Sequence, residues 1–124
     1  MRAADAIEKV TRERGELLQP HKRELLALMA EARAQEVRWH LAVMIPRLQL
    51  SRKERAAVLT VLSGYLQDRS SIVKTLALQG MADLARKDAG ILDQVAETLH
   101  AAERSGTAAM KARSRKLLSE LERG

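Results

Sequence analysis

Cysteine is missing from this 124-residue chain, and with it go disulfides, thiolate metal sites and thiol nucleophiles. Phenylalanine is missing too. Trp39 and Tyr65 are the only aromatic residues, which argues against sandwiches, barrels and the aromatic sheets that stack single-stranded RNA. Glycines number six and prolines two, so little of the chain is suited to tight turns. Apolar runs such as residues 41–45 are far shorter than the roughly 20 residues that cross a bilayer. Residues 1–9 contain no apolar secretory core, and the expected location is cytoplasmic. What is abundant is Leu, Ala, Val, Met and Ile, within a chain that is 46% hydrophobic and 31% charged. That composition belongs to a folded helical domain rather than a disordered chain. There are 22 Lys and Arg against 16 Asp and Glu, for a net charge of +6. The two signs are interspersed along the whole length, as on ordinary helix surfaces.

The punctuation that exists marks helix ends. Residues 4–18 read as a first helix, with Ile7, Val10 and Leu17 inward and Glu8, Arg12, Glu13 and Glu16 outward. Pro20 suits the first turn of a second helix, where its missing N–H is harmless; Leu25, Leu26, Met29 and Ala32 form its apolar stripe. A third helix is expected over about residues 35–50. Ser51-Arg52-Lys53-Glu54 is a capping box: the Ser hydroxyl accepts from the Glu54 N–H and the Glu carboxylate from the Ser51 N–H. It opens a fourth helix carrying Val58, Leu59, Leu62 and Leu66. Asp68, Ser70 or Ser71 caps a fifth, with Val73, Ala77, Met81 and Leu84 inward. Asp88 caps a sixth, with Ile91, Leu92, Val95 and Leu99 inward, and Ser105-Gly106-Thr107 precedes a seventh. Gly64 and Gly80 fall inside helices, where each costs about 1 kcal/mol against Ala, so both are expected at close helix crossings. No segment reads as a strand.

Three stretches align without gaps: residues 37–48, 73–84 and 110–121. Each opens with an aliphatic residue and a base, has a small or apolar residue fifth, an aliphatic one ninth and Leu twelfth. The helices before them keep step, with Leu26, Leu62 and Leu99 at one equivalent place. Three copies of a helical hairpin account for this most simply. The pattern resembles HEAT repeats, whose second helix opens with Val-Arg; Val37-Arg38, Val73-Lys74 and Met110-Lys111 carry the resemblance over roughly residues 20–122. The acid that such repeats place shortly before that Val is approximated by Asp68 in the middle copy. Glu36 and Thr107 stand nearby in the others. The resemblance implies an all-α fold, a right-handed α-α superhelix of about three HEAT-like hairpins and roughly seven helices. In this scheme residues 1–18 are a capping helix and residues 20–50, 51–87 and 88–122 the three repeats. Three stacked pairs are about the minimum that buries an independent core.

Catalytic motifs are scarce. There is no Gly-rich phosphate loop, Gly-x-Ser-x-Gly elbow or His-Glu-x-x-His. His21-x-x-Glu24 and His100-x-x-Glu103 each put an imidazole near a carboxylate on one helix face. They belong to the first and last repeats, so they are not expected to converge on a metal, and no cofactor is expected. His40 aligns with Leu76 and is expected to be a half-buried structural imidazole. HEAT-like DNA alkyl-base glycosylases use a Trp and an Asp. Trp39 and Asp83 are the only such pair here, and a small DNA-repair or metal-dependent enzyme is the remote alternative.

A binding surface is the expected function. If Val37, Leu41, Ile45 and Leu48 face the core, then Trp39, Val43 and Arg47 face the groove that second helices of HEAT hairpins line. Trp39 is either core filler or interface anchor. The equivalent positions Thr75, Gln79, Asp83, Ala112 and Lys116 are small or polar, as a groove open to a partner requires. Arg38, Lys74 and Lys111 recur at one repeat position. Either they pair with acids of the neighbouring repeat, as such bases commonly do in HEAT-like arrays, or they form a basic ladder. Arg113, Arg115 and Lys116 would extend that ladder toward phosphates. The expected partner is a protein or peptide with acidic and apolar features, nucleic acid being the alternative and membrane docking last. A monomer or weak homodimer is expected.

Overall fold

The computed structural model describes residues 19–123, which form six α-helices and three short 3-10 turns, with no strand among the described residues. The expected capping helix at residues 4–18 lies outside the described residues. The helices are α1 (Lys22–Glu31), α2 (Gln35–Met44), α3 (Arg52–Tyr65), α4 (Ser71–Lys87), α5 (Leu92–Ser105) and α6 (Ala108–Glu122). They pair in chain order, α1 with α2, α3 with α4 and α5 with α6. The second helix of each pair also packs on its successor, α2 on α4 and α4 on α6, which makes α4 the centre of the molecule.

Three of the six helix starts follow from a local side-chain cap. Ser51 and Glu54 close the capping box, with Glu54 N donating to Ser51 Oγ at 3.1 Å and Ser51 N to Glu54 Oε1 at 2.8 Å. Ser70 accepts from the Val73 N–H at 3.2 Å and opens α4. Thr107, at the equivalent place, accepts from the Met110 N–H at 3.3 Å and opens α6. Asp88 caps differently from expectation. Its carboxylate takes the Gly90 N–H at 2.9 Å and so stabilises the 3-10 turn Ala89–Ile91, whereas α5 itself starts at Leu92, with Ile91 as an N-cap that offers no side-chain bond.

The third expected helix is shorter than the apolar pattern suggests. α2 stops at Met44 and continues as the 3-10 turn Ile45–Arg47 before Leu48 turns extended. Pro46 is the cause, since it has no N–H to offer the carbonyl four residues back, that of Ala42. Lys87 of α4 restores part of the loss by donating to the carbonyls of Pro46 at 2.6 Å and Leu48 at 3.3 Å. Gly80 of α4 crosses at the same spot: an added Cβ would overlap the Ala42 carbonyl oxygen and come within 3.3 Å of the Pro46 ring. The close crossing expected at Gly80 is therefore present. Gly64 is a correction, because no atom of the described residues lies within 4 Å of where its Cβ would be; it sits on an exposed flank of α3.

The periodic apolar positions meet in one core. Leu41, Ile45, Leu48, Val58, Leu62, Val73, Ala77, Met81, Leu84, Val95, Leu99 and Leu117 are each no more than 2% exposed. Val37, Leu26, Leu66, Ile91 and Leu92 pack on it half-buried. No described helix is long and apolar enough to cross a membrane.

Candidate interaction surface

Of the ion pairs that tie successive hairpins together among the described residues, two are built the same way. Arg38, in the first turn of α2, donates from Nε to the Ala32 carbonyl at 2.7 Å and from Nη1 to Asp68 Oδ2 at 2.9 Å. Its guanidinium also lies 5.0 Å from the centre of the Tyr65 ring. Arg55, in the first turn of α3, donates from Nη1 to the Leu50 carbonyl at 2.6 Å and from Nε to Asp88 Oδ2 at 3.1 Å. Each Arg thus grips the loop before its own helix and an Asp in the loop two helices further on. Each Asp in turn receives a backbone N–H two residues ahead, from Ser70 and from Gly90. Burial pushes the Asp68 carboxyl up, but the Ser70 N–H and the Arg38 guanidinium outweigh it and hold the group below its ordinary value. Asp88 is held low by the Arg55 guanidinium and the Gly90 N–H. Of the two readings of Arg38, the acid-paired one describes its contacts. The Arg55–Asp88 pair has no counterpart in the sequence reading, although an Arg just inside one helix and an Asp in a later loop was the visible signal.

The other two members of the recurring base position differ from Arg38. Lys74 and Lys111 are half-buried and have no ion pair among the described residues. Arg113 is committed within the fold, donating to Gln79 Oε1 at 2.8 Å, while Arg115 and Lys116 are exposed.

Trp39 is half-buried, its ring stacked on His40 with centroids 3.7 Å apart. His40 is deeper than expected, only 2% exposed. Its Nδ1–H donates to the Glu36 carbonyl at 2.6 Å, as a structural imidazole does. Val43 and Arg47 follow Trp39 at helical spacing and are also half-buried. The structure brings Arg47 into electrostatic reach of Asp83 on α4. Burial raises the Asp83 carboxyl above its ordinary value, opposed by the Gln79 amide at 3.0 Å and by the charges of Arg86, Arg47 and Lys87. Arg86 links Asp83 at 3.4 Å to Glu120 at 2.5 Å, so α4 and α6 share a polar seam of Arg113, Gln79, Asp83, Arg86 and Glu120. Thr75 departs from the expected open groove position: it is 8% exposed, and its buried hydroxyl has no hydrogen-bond partner among the described residues.

Three hollows flank these elements. One is lined by Arg33, Arg38 and Arg69 beside the Ala32 loop. A second, of about 340 Å³, lies between the second and third hairpins and contains Lys74, Gln67, Thr98, Ser105 and Thr107. The third, of about 280 Å³, is apolar and runs between α1 and α3 along Leu26, Met29, Ala57, Val58 and Val61. His21 and Glu24 do not meet His100 and Glu103: among the described residues no three His, Asp or Glu side chains gather as a metal would need. No family model, curated protein or solved structure matches this chain.

Proposed function

We propose that the chain is a non-catalytic binding module of the HEAT-like kind. In this reading it is a short right-handed superhelix of three hairpins whose concave face recognises a protein or peptide with acidic and apolar features. Trp39 is the observation that carries the reading. A large ring packed on the core yet left partly in contact with solvent, in step with Val43 and Arg47, is the composition of an interface anchor with a polar neighbour. The HEAT-like arrangement is supported by the packing order, second helix on second helix, and by the Arg38–Asp68 tie between neighbouring hairpins. Nucleic-acid binding is a second reading, favoured by Lys74, Lys111, Arg115 and Lys116, which carry charge with no ion pair among the described residues.

The test is affinity capture with wild-type protein and with Trp39→Ala at physiological salt, followed by mass spectrometry. The proposal expects a protein that the wild type retains and Trp39→Ala loses. If instead a duplex is held at low salt, released as salt rises and indifferent to Trp39→Ala, the nucleic-acid reading replaces it.

A further inference from the structure

The three second helices begin at equivalent places, and their starts can be compared atom by atom. Two residues before the N-cap of α4 stands Asp68, the acid that Arg38 of the preceding hairpin grips. Two residues before Thr107, the N-cap of α6, stands Ser105. Lys74 of the middle hairpin occupies the place of Arg38, so the base is repeated at the second junction and the acid is not. The consequence is visible in the structure. Lys74 is half-buried without an ion pair among the described residues, and the hairpins are joined at this edge by a hydroxyl contact instead, Ser71 Oγ to Thr107 Oγ1 at 2.8 Å.

The place of the missing acid is a hollow. The notch of about 340 Å³ that Lys74 lines has Gln67, Thr98, Ser105 and Thr107 on its walls and Leu66 and Met110 among its apolar surface. The first turn of the fifteen-residue helix α6 begins at its rim, adding the positive end of a helix dipole to the Lys74 charge. A half-buried ammonium without an acid, amide and hydroxyl donors and an apolar floor suit one carboxylate on a short aliphatic stem.

We propose that this notch docks an acidic side chain of a peptide partner, whose carboxylate takes the place at the second junction that Asp68 fills at the first. This deepens the proposed function by naming one of its contacts, and it rests on that reading only for the source of the carboxylate. The side-chain carboxylate is favoured over a phosphate because the group that meets the equivalent base at the first junction is the carboxylate of Asp68, which accepts from Arg38 and from a backbone N–H.

The experiment follows backbone amide NMR signals of Thr107, Ala108, Ala109 and Met110. Two capped tripeptides, Leu-Glu-Leu and Leu-Gln-Leu, are titrated into the full chain, with inorganic phosphate titrated separately. A single charge-assisted contact corresponds to a dissociation constant on the order of millimolar. The Glu peptide is expected to shift these signals and the Gln peptide to leave them in place. Lys74→Met is expected to abolish the response. Ser105→Asp, which supplies the acid from within, is expected to weaken it at least tenfold and to raise the unfolding temperature. Equal response to both peptides, an undiminished response in Lys74→Met, or no response up to about 20 mM Glu peptide overturns the proposal. Phosphate shifting the same signals more strongly than the Glu peptide overturns the carboxylate assignment. Failure here with capture still dependent on Trp39 removes only this contact, whereas a responsive notch without Trp39-dependent capture removes the proposed function.

Discussion

The junction between the first and second hairpins and the junction between the second and third are held by different means. At the first, α4 presses Gly80 against the Ala42 carbonyl, and Arg38 grips an Asp68 side chain that is only 6% exposed. Lys87 adds bonds to carbonyls that Pro46 and the end of α2 leave over. At the second junction Arg55 grips Asp88 in the loop that enters the third hairpin, but Lys74 has no acid among the described residues, and the Arg86–Glu120 pair that reaches α6 lies in solvent with side chains 44% and 37% exposed. Exposed pairs contribute little, so apolar burial of Met110, Leu117 and Leu118 supplies most of the attachment of α6. The Ser114 hydroxyl, buried with no hydrogen-bond partner among the described residues, works against it. The difference teaches that similar hairpins are joined in one place by backbone fit and buried polar ties, whereas beyond the Arg55–Asp88 tie the last helix, α6, is attached mainly by apolar burial.

The comparison can be broken most forcefully at Gly80. Gly80→Leu places four carbons where the Ala42 carbonyl and Pro46 ring already are, and a loss of about 3 kcal/mol is expected in urea unfolding. Gly64→Ala, on an exposed flank of α3, is the contrasting control and should gain roughly 0.5–1 kcal/mol. Asp68→Ala comes next, at roughly 1–3 kcal/mol, because it leaves Arg38 and the Ser70 N–H without their acceptor. The same carboxylate predicts a pH dependence. Its folded pKa is depressed, so its stabilisation is complete above the ordinary value of 3.8 and disappears as pH falls through the lower folded value. Thermal melts between pH 2 and 5, a span of about three units around that value, should be flatter for Asp68→Ala than for wild type. Ser114→Ala is the smallest change and has the opposite sign, a gain of about 1 kcal/mol from removing an orphaned hydroxyl. A loss would mean that the second junction depends on that hydroxyl.

Much of the fold was legible because its signals are local. The capping box at Ser51, the cap among Asp68, Ser70 and Ser71, the break at Ser105-Gly106-Thr107 and the apolar stripes through Leu62, Met81 and Leu99 need only neighbouring residues to act. The misjudged details needed distant ones. Gly64 and Gly80 are indistinguishable as helical glycines until α2 arrives beside one of them. The end of α2 at Met44 was readable from Pro46 and was masked by an apolar pattern that continues to residue 50. Thr75 looked like an open groove position because polarity was taken as exposure; it is covered where α4 lies between its neighbours.

The candidate surface divides along the same line. Trp39 and Val43 on α2 and Arg47 in the 3-10 turn beyond it are all partly buried, with some of each left at the surface. The split fate of the recurring bases was undecided, since Arg38 meets an acid 30 residues away and Lys74 meets none among the described residues. Primary structure by itself determined the helices, their caps and their buried faces, because a period of 3.6 residues and a hydrogen bond three residues long act within one element. Tertiary structure alone decided which glycine is a contact, which base is paired and where a hollow is left. Those outcomes depend on distances between elements that linear spacing does not contain.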